Sequence, residues 1–214
     1  MTMKTLYIIR HGQTTHNLEG IVQGSGIDSD LNHTGQMQAQ AFYETYQHIP
    51  FDKIYTSNLK RTQQSVTQFV QKGIPTESHH GLNEINWGHK EGRKITPEED
   101  VYYREMLEKW RKGHTHIAIE GGESPQDVAN RQKEFLEVLM QRPEEQNVLI
   151  AMHGRALRIF LTLLLNYELK EMDLFEHTNL CLYQVNYTGS MFVITKHNDT
   201  QHLQKLKTHS TQKV

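Results

Sequence analysis

The sequence predicts an α/β protein with a largely parallel sheet covered by helices on both faces. Short runs of β-formers, "KTLYII" at 4–9, "DKIYTS" at 52–57 and "NVLIAM" at 147–152, are separated by segments with helical apolar spacing. That alternation is the pattern of parallel strands joined by crossover helices. The third observation is chemical. The first run ends in Arg10-His11, the second leads into Ser57 to Arg61, and the third ends in His153-Gly154. Ligands of such sheets bind beyond the carboxyl ends of the strands, so these residues are expected at one rim although they lie far apart in the chain.

Taken in order, the first strand stops at Arg10. From Thr34, read as an N-cap, Ala39, Phe42, Tyr46 and Ile49 recur at helical spacing. After the second strand, Leu59, Val66, Phe69 and Val70 share a helical face that Gly73 closes. Residues 85–123 have the weakest periodicity and densely mixed charge, as in "HKEGRKITPEED". They are expected to form an inserted lid carrying a helix over about 98–112. "SPQD" at 124–127 is a helix start, with Ser124 as N-cap, Pro125 at the first helical position and Asp127 at the third. Val128, Phe135, Val138 and Leu139 mark its buried face, and Leu157, Phe160, Leu161 and Leu164 that of the helix after the third strand. "LCLYQVN" and "MFVITK" read as two strands joined by the turn "YTGS". Residues 1–203 are expected to form one catalytic domain, and the polar tail, 204–214, to fray.

The totals narrow the class. At 214 residues the chain suits one domain. With 23 basic residues against 25 acidic, no global field recommends nucleic acid or a membrane as partner. The single cysteine, Cys181, cannot form an internal disulfide, which suits a reducing cytosol. The N-terminus reaches "IIR" too soon for a signal peptide, and "IFLTLLLNY" is too short to cross a bilayer. The expectation is a cytoplasmic protein, monomer or homodimer, whose partner is a small molecule. Most of the 14 histidines stand singly among polar residues and read as solvated surface groups.

The stretch "YIIRHGQTTHN" raises the functional question. An arginine beside a histidine repels a metal cation but suits a histidine that must meet an anion. Arg10 and Arg61 offer forked donors shaped for phosphate oxygens. The helices starting after residues 57 and 154 are expected to add backbone amides to the same point. Such cationic surroundings favour a neutral imidazole, which can attack phosphorus and form a phosphohistidine. Positioning and charge stabilisation then suffice, with no metal or other cofactor. Glu84, in "GLNEINWG", is the carboxylate placed to protonate a leaving oxygen. A metallohydrolase built on "HH" (79–80), "HTH" (114–116) or His153 is the competing reading; these pairs sit in low-pattern segments without evident supporting partners.

Several motifs together resemble the histidine phosphatase superfamily, the phosphoglycerate mutase-like proteins. "LYIIRHGQTTHN" resembles its Arg-His-Gly signature and "TSNLKRTQQS" its Ser-x-Leu-x-Arg-Thr segment. "LNEINWGHKEG", "EGGES", "AMHG" and "NDTQHL" are similar to later family motifs, in family order. The resemblance implies a three-layer α/β/α sandwich with one antiparallel strand. It implies that His11 is the phosphorylated nucleophile and that Arg10, Arg61 and His153 bind the phosphoryl group, assisted by Asn17 and the Gly154 amide. Glu84 would be the proton donor and later activate water, and Gln23-Gly24 would contact phosphate or substrate.

Membership in such a family leaves the acceptor open. A mutase must exclude water and hold a second charged group, and cofactor-dependent mutases carry a tandem arginine pair in a longer insertion. This chain has no Arg-Arg, and its insertion balances Lys90, Arg93, Lys94, Arg104, Lys109, Arg111 and Lys112 with acids. His16 stands where the mutases often have tryptophan. A phosphatase of small phosphate monoesters, such as sugar phosphates or phosphoglycerates, is therefore expected. The alternatives are a cofactor-dependent phosphoglycerate mutase and a non-catalytic phospho-ligand-binding protein.

Overall fold

The computed structural model describes residues 3–204 and 206. Six strands form one sheet, β1 (Lys4–Arg10), β2 (Lys53–Thr56), β3 (Thr76–Ser78), β4 (Asn147–Met152), β5 (Leu182–Tyr187) and β6 (Phe192–Asp199). Their order is β3-β2-β4-β1-β5-β6. The first four run parallel, while β5 is antiparallel to both of its neighbours. The mostly parallel sheet with one antiparallel strand is thus observed as expected.

The period of two along a strand divides the core into two layers. Leu6 and Ile8 of β1, with Val148, Ile150 and Met152 of β4, pack against α6 (Pro125–Met140) and α7 (Gly154–Leu164) through Val128, Phe135, Leu157 and Phe160. Tyr7 and Ile9, with Leu149 and Ala151, face α2 (His33–Tyr46) and α4 (Thr67–Gln71) through Phe42, Tyr46 and Phe69. Burial on both faces explains why β1 and β4 are continuous apolar runs. The start of α6 is as read: Ser124 and Asp127 form a reciprocal capping box, with Pro125 opening the helix.

Local details differ from the expectations. The N-cap of α2 is Asn32, whose side chain accepts the Gly35 amide, so Thr34 lies inside the first turn. The segment after β2 is two short helices, α3 (Lys60–Ser65) and α4, broken at Val66. The Ser65 hydroxyl donates to the Arg61 carbonyl one turn back, a bond that bends helices, and β-branched Val66 and Thr67 follow it. Val66 and Phe69 stay buried, but Val70 is exposed. Val138 and Ile49 are only half-buried. A short helix α1 (Thr15–Glu19) and strand β3 were not expected.

The 85–123 segment carries α5 (Pro97–Arg111), close to the expected bounds. It buries more than its charge suggested, since Trp87, Met106, Trp110 and Ile119 join the core beneath it. Of the tail expected to fray, 204–214, Gln204 and Leu206 are helical and Leu206 packs against the second core layer; Lys205 and residues 207–214 lie outside the described residues. No helix among the described residues is long and apolar enough to cross a membrane.

Candidate active site

Where β1 ends, Gly12 lets the chain pass α2 at close range: a Cβ there would lie 2.7 Å from the Gly35 carbonyl oxygen. His11 is thereby set at the rim, its amide bonded to the Met152 carbonyl of β4 at 3.0 Å. The His11 Nδ1 lies 2.7 Å from the Gly12 carbonyl. A carbonyl only accepts, so Nδ1 carries the proton and Nε2 keeps its lone pair. His153, directly after β4, holds its ring 5.1 Å from that of His11.

The His153 tautomer is fixed from the other side. Arg61 Nε donates to its Nδ1 at 3.2 Å, and a guanidinium cannot accept. Nε2 therefore donates to Ser57 Oγ at 2.8 Å, Ser57 to Thr62 Oγ1 at 2.9 Å, and Thr62 to the Leu59 carbonyl at 2.8 Å. This chain ties both strand ends and α3 into one polar network. Burial holds His11 and His153 well below the ordinary imidazole pKa, and the Arg61 and Arg10 guanidiniums depress both further. Both histidines are neutral, as the cationic surroundings led one to expect.

Arg61 is wholly buried, which pulls its pKa down to about 10. Its Nη1 and Nη2 donate to the carbonyls of Ile27 and Gly24. Arg10 is also depressed by burial, and its Nε has no hydrogen-bond partner among the described residues. Glu84, nearly buried, accepts from Ile85 N at 2.9 Å, Ala156 N at 2.9 Å and Arg155 N at 3.1 Å. The last two amides open α7. Here the structure corrects one expectation: these amides are already engaged by a carboxylate and not left for an external anion. The α3 end is likewise satisfied, with Leu59 N on Ser57 Oγ and Lys60 N on Asp28.

Arg10, His11, Asn17, Gln23 and Glu84 line one cavity of about 170 Å³. Val22, Trp87, Ile95 and Tyr103 form its walls. Asn17 closes the α1 capping box with Thr14, and its Oδ1 also accepts from Asn179. Gln23 Nε2 donates to Thr14 Oγ1 at 2.7 Å. Arg61, His153, Gly24 and Gly154 do not line the cavity. Arg61 is bonded to His153, whose ring neighbours that of His11, and Gly24 enters the arrangement by its carbonyl bond to Arg61.

Three residues escaped the sequence reading. Asn179 donates to the His11 carbonyl at 3.0 Å and to Asn17 at 3.1 Å, bracing both. His177 packs on the backbone of Gly154, where a Cβ would come within 2.7 Å of its ring. Burial, then Arg10, Arg158 and Arg155, pull its pKa down to about 3. Asp173 receives Arg155 and Arg158 of α7 at 2.6 and 2.5 Å and Arg111 of α5 at 3.2 Å. It binds the inserted helix to the helix that holds Glu84. None of the three belongs to a periodic or clustered pattern, so sequence offered no signal beyond residue type.

The buried His11 and His153 and the half-buried His177, whose pKa values are all lowered, make stability pH-dependent. Unfolded, each takes up a proton near pH 6.5, while the folded state resists it. The unfolded state then binds more protons, so stability is full above about pH 6.5 and falls on acidification. The slope is at most about 1.4 kcal/mol per pH unit per histidine. Urea midpoints should fall steadily from pH 7 to 5, and less steeply in His177→Asn; a midpoint constant over that range would contradict the assignment of neutral histidines.

Among the described residues, no group of three histidine, cysteine, aspartate or glutamate side chains could hold a metal ion. His79 instead accepts the Gly81 amide at 3.0 Å and stacks on His80.

A sheet that presents a neutral histidine between arginines at its rim defines a class of phosphate-handling proteins, and comparison with known families agrees. Residues 6–200 match the model of the histidine phosphatase superfamily, branch 1, and the chain belongs to that family. It is 30% identical over 210 residues to a broad-specificity phosphatase of Saccharomyces cerevisiae, covering 92% of this chain and 86% of that one. It is equally 30% identical over 210 residues to the Yersinia enterocolitica protein called probable phosphoglycerate mutase GpmB, covering 94% and 95%. The solved α-ribazole phosphatase of Shigella flexneri shares the fold, with a TM-score of 0.81 and 24% identity over 91% of this chain and 96% of that one.

Proposed function

We propose that the protein is a phosphatase that hydrolyses small phosphate monoesters through a phosphohistidine on His11, without a metal. The observation that carries this reading is the state of His11: neutral, braced through Nδ1, and with its Nε2 lone pair free beside Arg10 and Glu84 in the cavity. In the first step His11 Nε2 bonds to phosphorus as the phosphorus–oxygen ester bond breaks. Glu84 gives its proton to the departing oxygen. The Nδ1–H bond to Gly12 then shares the positive charge that develops on the ring. In the second step water attacks phosphorus, Glu84 takes its proton, and the nitrogen–phosphorus bond breaks to release phosphate.

Arg10 supports the phosphoryl oxygens directly, and its unpartnered Nε suits that task. Arg61 and His153 contribute by holding positive charge and a fixed ring beside His11. Asn17 and Gln23 offer amide contacts from the side, and Gly24 and Gly154 act through their backbones. The 85–123 segment serves as the lid, and a cytosolic location suits the one cysteine, which is buried. The likeness to GpmB keeps a mutase as the second reading, in which water is replaced by a hydroxyl of a phosphorylated acid.

The test is phosphate release from p-nitrophenyl phosphate and alkyl phosphates in excess EDTA. Turnover undiminished by chelator is expected. Activity that disappears in EDTA and returns with a divalent metal would overturn the metal-free reading. Release that requires priming with 2,3-bisphosphoglycerate would favour the mutase.

A further inference from the structure

The walls of the cavity indicate what the alcohol half of the substrate is. The ionisable groups on the cavity surface at the phosphoryl end are Arg10, His11 and Glu84, all of them engaged in the proposed chemistry. The rest of the lining is Asn17 and Gln23 with Val22, Trp87, Ile95 and Tyr103. Trp87 and Tyr103 stand 5.6 Å apart, and Trp87 is backed by Trp110 at 6.0 Å, so this is a supported aromatic wall. Ile95 is 46% exposed at the rim, an apolar side chain left open where a bound molecule would cover it. A recess adjoining the cavity continues the apolar surface through Tyr102 and Ile119, with Lys90 at its edge.

Among the described residues, no lysine or arginine of the insertion is part of the cavity lining itself, although Lys90 lines the adjoining recess. Arg104 pairs with Asp100, Lys112 with Glu108, and Arg111 with Glu108 and Asp173. Together with Lys109 they border a separate surface cleft along α5. The Lys90 ammonium lies over the Tyr102 ring at 4.7 Å. Arg155, which follows Gly154 and could have reached the substrate, is bound to Asp173 and stacked 5.6 Å from Trp110. An anionic group on the alcohol side would lie against an apolar wall and lose its hydration without a charged partner in the cavity lining.

We infer that the site selects phosphate monoesters whose alcohol part is uncharged, compact and largely apolar, an aryl or arylalkyl group, over esters carrying a carboxylate or a second phosphate. This rests on the phosphatase reading and narrows it. The uncharged group would lie between Trp87 and Ile95, against the Tyr103 ring.

The experiment compares kcat/KM for 2-phenylethyl phosphate, glycerol 3-phosphate and 3-phosphoglycerate, all alkyl esters with similar leaving groups, so that chemistry is matched and the alcohol part differs. The expected order is that just given, with at least about tenfold between first and last, the scale of a modest apolar contact. Ile95→Lys, at an exposed position, should narrow that ratio by about tenfold by adding a cation at the rim. Equal values, or a preference for 3-phosphoglycerate in the parent protein, would overturn the inference while leaving the phosphatase intact. An unchanged ratio in Ile95→Lys would remove the rim from selectivity and overturn the placement. No release from any ester, p-nitrophenyl phosphate included, would overturn the phosphatase reading and this inference with it.

Discussion

Replacing His11 with alanine should lower kcat on every phosphate monoester by at least about 10⁴-fold, the scale seen when a covalent nucleophile is removed. The large effect follows from the geometry. His153 has the neighbouring ring, but its Nδ1 receives Arg61 and its Nε2 is bonded to Ser57, so it has no free lone pair to substitute. The fold should survive, because the His11 side chain makes its one side-chain hydrogen bond to an adjacent carbonyl, Gly12. Far-ultraviolet circular dichroism and the urea midpoint should stay near those of the parent, measured beside the rate. A variant retaining more than a few per cent of activity would take the nucleophile's role away from His11.

Glu84→Gln should produce the second largest effect, and one that depends on the substrate. Alkyl phosphates need a proton on the departing oxygen, and their rates should fall by about 10²- to 10⁴-fold. p-Nitrophenyl phosphate, whose leaving group is stable as an anion, should lose far less in its first step. The structure adds a cost in stability. Glu84 accepts three backbone amides with two oxygens, and glutamine has one oxygen, so the amide nitrogen must face Arg155 N or Ile85 N and Ala156 N. The loss of at least one acceptor at the start of α7 should lower stability by about 1–3 kcal/mol. Equal losses of kcat/KM, which reports the first step, on both ester types would remove Glu84 as proton donor.

The fold was legible where burial is complete and opaque where it is partial. β1 and β4 are buried on both faces, and "KTLYII" and "NVLIAM" display this as unbroken apolar runs. β3 is a three-residue edge strand, "TES", with no apolar side chain, so nothing in its composition distinguishes it from a loop. The insertion did carry a signal that its charge obscured. Tyr103, Met106 and Trp110 lie three and four residues apart, the spacing of a buried helical face.

The site divides similarly. Arg10, His11 and Glu84 were readable because each stands in a distinctive local motif, and they do share a cavity. What sequence could not show is which groups satisfy one another across the rim. Glu84 meeting the first amides of α7, and Arg61 fixing the His153 tautomer, are contacts between residues about 70 and 90 positions apart. The expected anion-binding helix ends were a sound inference from helix dipoles, but it did not foresee that an internal carboxylate would arrive first. His177 and Asn179 precede β5 in the polar stretch "EHTN", which reads as an ordinary loop, and only the antiparallel return of that strand beside β1 brings Asn179 to His11.

The central claim, covalent catalysis by His11, is tested most directly by mixing the protein with a phosphate monoester and quenching in alkali, where phosphohistidine survives. Peptide mass spectrometry should then find one added phosphoryl group on His11, lost on brief exposure to acid and absent from His11→Ala. Sustained hydrolysis with no phosphoryl group on His11 at any time before or during steady state, or with the group on another residue, would contradict the account.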